Sequence, residues 1–294
     1  MDAYQDLDDT ALVPVVVEPM LPTDRTVELV VSFETMDDGT NRALFNEVSY
    51  HTPLVPTVLS VLTLGSNATV ATAYGTGGIV LDHLSAVQII VKNGDTGKHP
   101  LCVLLLLCGM TEHLNLNCSH IHGHKVQLVN RAQNYSSTDP TLNPPIVEGQ
   151  ANPMRRDTIQ VPPGASVALR VVADNPGTWF FHCVYPSLSF SHASADHNTG
   201  HIEWHLEAGL AVTFVEAPLE MQQRASSIQA PPYSLSQQCL AQNLPASGNA
   251  AGHASTTDLS GLQLGPFRKA GSTRRAFSEH EGVVKRVYDT TEEK

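Results

Sequence analysis

Val172–Cys183 reads VADNPGTWFFHC. Asp174-Asn175-Pro176-Gly177 is a turn signal, because Asx side chains bond nearby backbone, Pro presets φ and Gly accepts φ > 0. The run that follows, Thr178–His182 (TWFFH), is aromatic and β-prone and reads as a strand. It delivers His182 and Cys183 side by side. Successive strand side chains point to opposite faces. One of the two can therefore bind a metal on one side while its neighbour serves a second site on the other.

Similar short runs lie on both sides. Val27–Phe33, Val87–Val91, Lys125–Val129, Asp157–Val161, Ser166–Val172 and Leu210–Val215 are rich in β-branched residues, and several alternate apolar with polar positions. Turn signals such as Asn93-Gly94-Asp95 separate them. Many short strands divided by turns predict an all-β sandwich or barrel. Residues 1–25 read as a lead-in, 26–218 as one domain, and 219–294, rich in Ser, Ala, Gln and Gly, as a loosely ordered tail.

The histidines cluster with this strand. His99 stands in KHP, and His120, His122 and His124 stand in HIHGH; His201 and His205 stand in HIEWHLEAGL, which ends on Leu210. His-x-His on a strand puts both imidazoles on one face, which suits copper or zinc. A thiolate with two imidazoles, and a weak or absent axial ligand, is the donor set of blue copper. The five cysteines have no CxxC spacing, so a zinc ribbon is not indicated.

Composition narrows the partners. With 29 acidic against 17 basic residues the formal net charge is −12. That balance argues against nucleic acid and anionic membrane surfaces and tolerates cationic substrates. The opening MDAYQDLDDT is no signal peptide. The longest apolar run, Leu101–Met110, is about half the roughly 20 residues a membrane-spanning helix needs. Asn67-Ala-Thr69 and Asn134-Tyr-Ser136 are N-glycosylation sequons, consistent with a secreted parent protein.

The blocks NGDTGKHP, HIHGHK, LNPPIVEGQANPMRRDT, VADNPGTWFFHC and HIEWHLEAGLAVTFVEAP, in this order, resemble the third, C-terminal cupredoxin domain of multicopper oxidases. Laccases share these blocks. DGTNRALFNEVSYHTPLVPT and DTGKHP make the resemblance strongest to the fungal iron-uptake ferroxidases. The resemblance implies a cupredoxin-like Greek-key β-sandwich. It implies a type 1 copper held by His99, Cys183 and His205, with Leu210 at the non-coordinating axial position. It implies His120 on the type 2 copper, and His122, His182 and His201 on the type 3 pair. His124 is not carried over as a ligand, and Glu203 lies beside the ligands or in solvent. Asp95, four residues before His99, is either the turn aspartate of NGDTG or a carboxylate that helps bind Fe²⁺.

By the same resemblance the reductant is Fe²⁺ or a phenol, O₂ is the acceptor, and an iron permease is a partner. The parent protein works at the outer face of the plasma membrane or in secreted form. The other ligands of the three-copper cluster belong to earlier cupredoxin domains, so a partial oxidase is expected. A mononuclear copper module and an inactive fragment are the alternatives.

Two segments interrupt the family pattern. Residues 101–119 separate Pro100 from His120, where the family has one residue. Residues 184–200 separate Cys183 from His201, where the family reads HCHIEWH unbroken. Excising 184–200 restores HCHIEWH, and codons allowing GT and AG dinucleotides fit both sets of boundaries. Both segments therefore read as translated introns, with lineage-specific loops as the alternative.

Overall fold

The computed structural model describes residues 11–36, 39–96, 99–101, 118–157, 159–184, 208–223, 232–262, 274–280 and 283–289. For residues 99–101, 118–121, 183–184, 274–280 and 283–289 the description is of the backbone.

Val27, Leu29 and Val31 recur at every second position of β1 (Arg25–Thr35), and all three are fully buried. That period marks a strand with one face on the core. β2 (Asn41–Phe45) pairs antiparallel with β1. β4 (Ala86–Asn93) runs parallel to β1, and β10 (Ser166–Val172) antiparallel to β4. This register lines up Val27, Ile89 and Leu169 in one row and Leu29, Val91 and Val167 in the next. β7 (Val126–Ala132) extends the first row with Leu128, and β8 (Met154–Arg156) follows it.

A second sheet packs over the first. Its strands are β3 (Gly78–Leu81), β12 (Ala211–Glu216), β11 (Gly177–Val184) and β6 (Cys118–Ile121), in that order. Ile79, Phe181, Val212 and Phe214 face the first sheet within one buried cluster. The Phe181 ring sits 6.0 Å from Phe45 and 5.9 Å, edge-on, from Phe214. Burying a side chain of that size contributes about 1.5–3 kcal/mol. The expected all-β sandwich is the fold of this chain. Each strand read from the sequence lies within an observed one or overlaps it.

β5 (His99–Leu101) and β9 (Ile159–Val161) pair with each other. β9 falls within the strand read over Asp157–Val161, whereas β5 was not foreseen, because three residues are too few to show a period. The two anomalous segments begin and end in strands: Leu101 closes β5, Cys118 and Ser119 open β6, and Val184 ends β11 opposite Cys118. Residues 102–117 and 185–200 lie outside the described residues.

The segment expected to be a loose tail carries ordered structure. α1 (Thr57–Thr63) packs near α2 (Pro218–Gln223), and Cys239 of α3 (Tyr233–Ala241) is buried against Val55 and Leu59. Beyond α3, Ala250 donates its N–H to Ala73 O at 2.7 Å and accepts from Leu54 at 2.8 Å. Asn249 is fully buried; its side chain accepts from Ala251 and His253 N–H and donates to the Ser255 and Asp258 carbonyls. One amide thus braces this loop over a small apolar cluster of Ala250, Ala251 and Leu262, and composition does not reveal that. β13 (Arg274–His280) and β14 (Val283–Asp289) form a hairpin, with β14 parallel to β1 at Thr26 and Val27. Among the described residues no helix is long and apolar enough to cross a membrane.

Candidate metal centre

Alternation along β11 turns Phe181 into the core and leaves His182 and Phe180 on the other face. His182 is only 7 % exposed. The Phe180 ring stacks on its imidazole at 4.7 Å, and Tyr50 packs edge-on against Phe180 at 5.2 Å. These aromatic contacts hold the imidazole plane and keep water from one side of it.

β6 runs antiparallel to β11 with His120 directly opposite His182. The chain then turns through His122 and Gly123. Gly123 has φ +78° and lies flat on the Trp179 indole, where a Cβ would stand 2.8 Å from ring carbons. Only glycine allows both the backbone angle and the approach. Gly177 meets the same ring, and Trp179 donates its Nε1–H to Asn175 O at 2.7 Å. This turn places His122 Nε2 3.4 Å from His182 Nε2, with the rings stacked at 5.6 Å and 26°.

Next to this pair, His124 donates its Nδ1–H to the His122 carbonyl at 3.1 Å. Its Nε2 lies 2.9 Å from Glu216 Oε2, and the two side chains are 6 % and 1 % exposed. The approach is off the hydrogen-bond axis of the ring nitrogen. Burial disfavours an imidazolium here, but the Glu216 carboxylate, the His122 carbonyl and the Asp174 charge together outweigh it and hold the His124 pKa above its ordinary value. Glu216 also accepts the Asn175 N–H. With exposed Asp174, the donor atoms of His124 and Glu216 lie within 4.8 Å of one another.

Glu216 and Asp174 were not anticipated at this centre. The signal for Glu216 was a carboxylate closing the wholly buried run AVTFV. A charge at that position of a buried strand demands a partner.

β5, which carries His99, lies against β11 and β6. His99 is opposite Val161, and Asn93 donates its side-chain N–H to Val161 O at 3.0 Å. The Asn93 side-chain oxygen accepts the Asp95 N–H at 2.9 Å, so Asp95 belongs to an Asx turn anchored to the partner strand of His99. Leu210 is fully buried in the cluster that contains Phe181. Gly209 before it has φ +105°, and Ser49 Oγ donates to Ala208 O at 2.8 Å, which fixes this return.

The structure thus brings His122 and His182 together, sets the His120 backbone across from them, and lays the strand of His99 alongside. The side chains of His99, His120 and Cys183, and residues His201, Glu203 and His205 altogether, lie outside the described residues.

The residues of this centre suit a metal ion. Two imidazole nitrogens 3.4 Å apart can both reach one ion through bonds of about 2 Å. Nitrogen donors with an adjacent thiol position are a copper set.

The family model "Multicopper oxidase" matches residues 105–195. The iron multicopper oxidase fer1 of Mycosarcoma maydis is 39 % identical over 287 residues, covering 97 % of this chain and 40 % of its own. The iron transport multicopper oxidase FET3 of Gibberella zeae is 34 % identical over 291 residues, covering 98 % of this chain and again 40 % of its own. The crystal structure of Fet3p, described as a multicopper oxidase that functions in iron import, superposes with a TM-score of 0.66 at 32 % identity, over 89 % of this chain and 45 % of that one. The chain therefore spans about 40 % of the length of the curated relatives it matches.

Proposed function

Since the chain is a homologue of the multicopper oxidases along nearly its whole length, we propose that it is the copper-binding C-terminal portion of a ferroxidase-type enzyme. That enzyme oxidises Fe²⁺ and reduces O₂ to water. The observation that carries the proposal is the facing pair His122 Nε2 and His182 Nε2 at 3.4 Å, with His120 opposite His182 in register.

In this reading His99, Cys183 and His205 hold the type 1 copper beside Leu210. His120 holds the type 2 copper, and His122, His182 and His201 hold the type 3 pair. Bound copper supplies one-electron redox chemistry. The chain's own residues place and tune it. Cys183 and His182 are consecutive on β11, so one peptide unit joins the two kinds of site. An aliphatic Leu210 in place of a thioether raises the reduction potential of the type 1 site. Phe180 and Tyr50 fix the His182 ring. Asp95, in its anchored turn four residues before His99, offers Fe²⁺ a carboxylate next to that site.

The remaining cluster ligands come from cupredoxin domains in other parts of the parent protein, which works with an iron permease at the outer face of the plasma membrane or in secreted form. Copper loading of the 294-residue chain, followed by metal analysis and electron paramagnetic resonance, tests the binding claim; a chain that takes up no copper sinks it. Copper uptake with no activity in the parent would leave a mononuclear module. Phenol oxidation without Fe²⁺ oxidation by the full-length parent would move the assignment to a laccase.

A further inference from the structure

We propose that the buried His124–Glu216 ion pair is a positioning device that sets the backbone of the His122 turn, so that His122 meets His182 at metal-binding distance. The inference rests on the copper reading of His122 and His182. His124 lies in the connection from β6 to β7, and Glu216 ends β12, which shares a sheet with β6, so the pair fixes that connection against the sheet beside the site. His124 then grips His122 itself, through Nδ1–H to the His122 carbonyl. Turning the His124 ring away from Glu216 would withdraw that bond from the turn.

A second path converges on the same residues. Glu216 accepts the Asn175 N–H; Asn175 in turn donates its side-chain N–H to Gly123 O at 3.0 Å and accepts from Trp179, which packs on Gly123. One carboxylate thus orders both His122 and Gly123. The space between His124, Trp179 and Glu216 is about 10 Å³, at the lower limit for one water molecule, and Leu81, Ile89 and Phe214 line the rest of it. The contact is therefore nearly dry. A dry ion pair adds little net stability over apolar residues of the same volume, and the attested use of such pairs is to select one arrangement. Partners that orient a ligand weaken metal affinity about 10–100-fold when removed.

The test uses the full chain, Cu²⁺ as the probe, and three variants. Glu216→Gln keeps the shape and the acceptor for Asn175 but removes the charge. His124→Asn keeps a donor but cannot span Glu216 and the His122 carbonyl together. Arg170→Met removes another ion pair, between buried Arg170 and exposed Glu148, and serves as the control. The expected result is that Glu216→Gln and His124→Asn retain wild-type far-ultraviolet circular dichroism, bind Cu²⁺ about 10–100-fold more weakly, and change the nitrogen hyperfine pattern. Arg170→Met loses stability with affinity and spectrum unchanged. Wild-type affinity and spectrum in folded Glu216→Gln and His124→Asn overturn the inference. Loss of the fold in both overturns it equally, because the pair then serves the sandwich and not the site. A wild-type chain that binds no Cu²⁺ overturns the proposed function itself.

Discussion

Gly123 rests on the face of Trp179, with backbone φ +78° and room for no β-carbon before the indole. The turn that presents His122 is therefore built on a glycine-to-aromatic contact. Gly123→Ala is expected to cost about 1–3 kcal/mol, from the left-handed backbone and the clash together. Chemical denaturation measures it. The same variant should weaken Cu²⁺ binding, since His122 precedes the displaced residue; unchanged binding would separate the turn from the site.

Phe181 is fully enclosed between Phe45 and Phe214. It is also the residue before His182. Phe181→Ala should destabilise the chain by about 3–5 kcal/mol, as large-to-small changes in closed cores do. A loss below about 1 kcal/mol in urea titration would mean that the two sheets do not close over this ring.

Arg170 is 3 % exposed and serves four acceptors: Gln88 Oε1, Leu21 O and both oxygens of Glu148. It pins the lead-in and the Glu148 loop to β10. Arg170→Ala leaves buried Gln88 and the Leu21 carbonyl short of a donor, and the expected cost is about 2–4 kcal/mol. Faster proteolysis within the lead-in should accompany it. Equal protection of that segment in variant and wild type would contradict this role.

Burial, followed by the charge of Arg42, lowers the His51 pKa to about 4. An unfolded histidine titrates near 6.5, so between these values the unfolded chain holds more protons. Stability should therefore fall as pH drops from about 6.5 to about 4, by about 1–2 kcal/mol after solvent screening. His51→Gln should flatten that part of the pH profile. An unchanged slope in the variant would assign the effect elsewhere.

Val184 pairs with Cys118 where the family pattern calls for a histidine after Cys183. Mature transcripts are expected to lack the codons for 184–200 and nearly all of 101–119. Deleting the same residues from the chain should strengthen copper binding, because HCHIEWH then holds its ligands within one strand without a loop-closure cost. Transcript reads that keep both segments, or a shortened chain with weaker binding, would show the segments to be genuine loops.

The strands with seven or so residues were legible because a period of two needs several repeats to register. β5 and β8, at three residues each, gave no period and appeared only when their partners were in place, whereas β9 was read within Asp157–Val161. The ordered region around Asn249 was equally hidden, since a loop held by one buried amide and a cluster of a few small apolar residues has the composition of a flexible one.

Local chemistry along the chain was enough to establish the sandwich, the adjacency of His182 and Cys183, and the His-x-His pair, because alternation and neighbouring residues are properties of the sequence itself. The 3.4 Å meeting of His122 with His182, and the hold of Glu216 on His124, were decided by strand register and sheet packing. Those residues are 60 and 92 positions apart. Which distant side chains meet depends on how two sheets close over a shared core, and no local pattern encodes that distance.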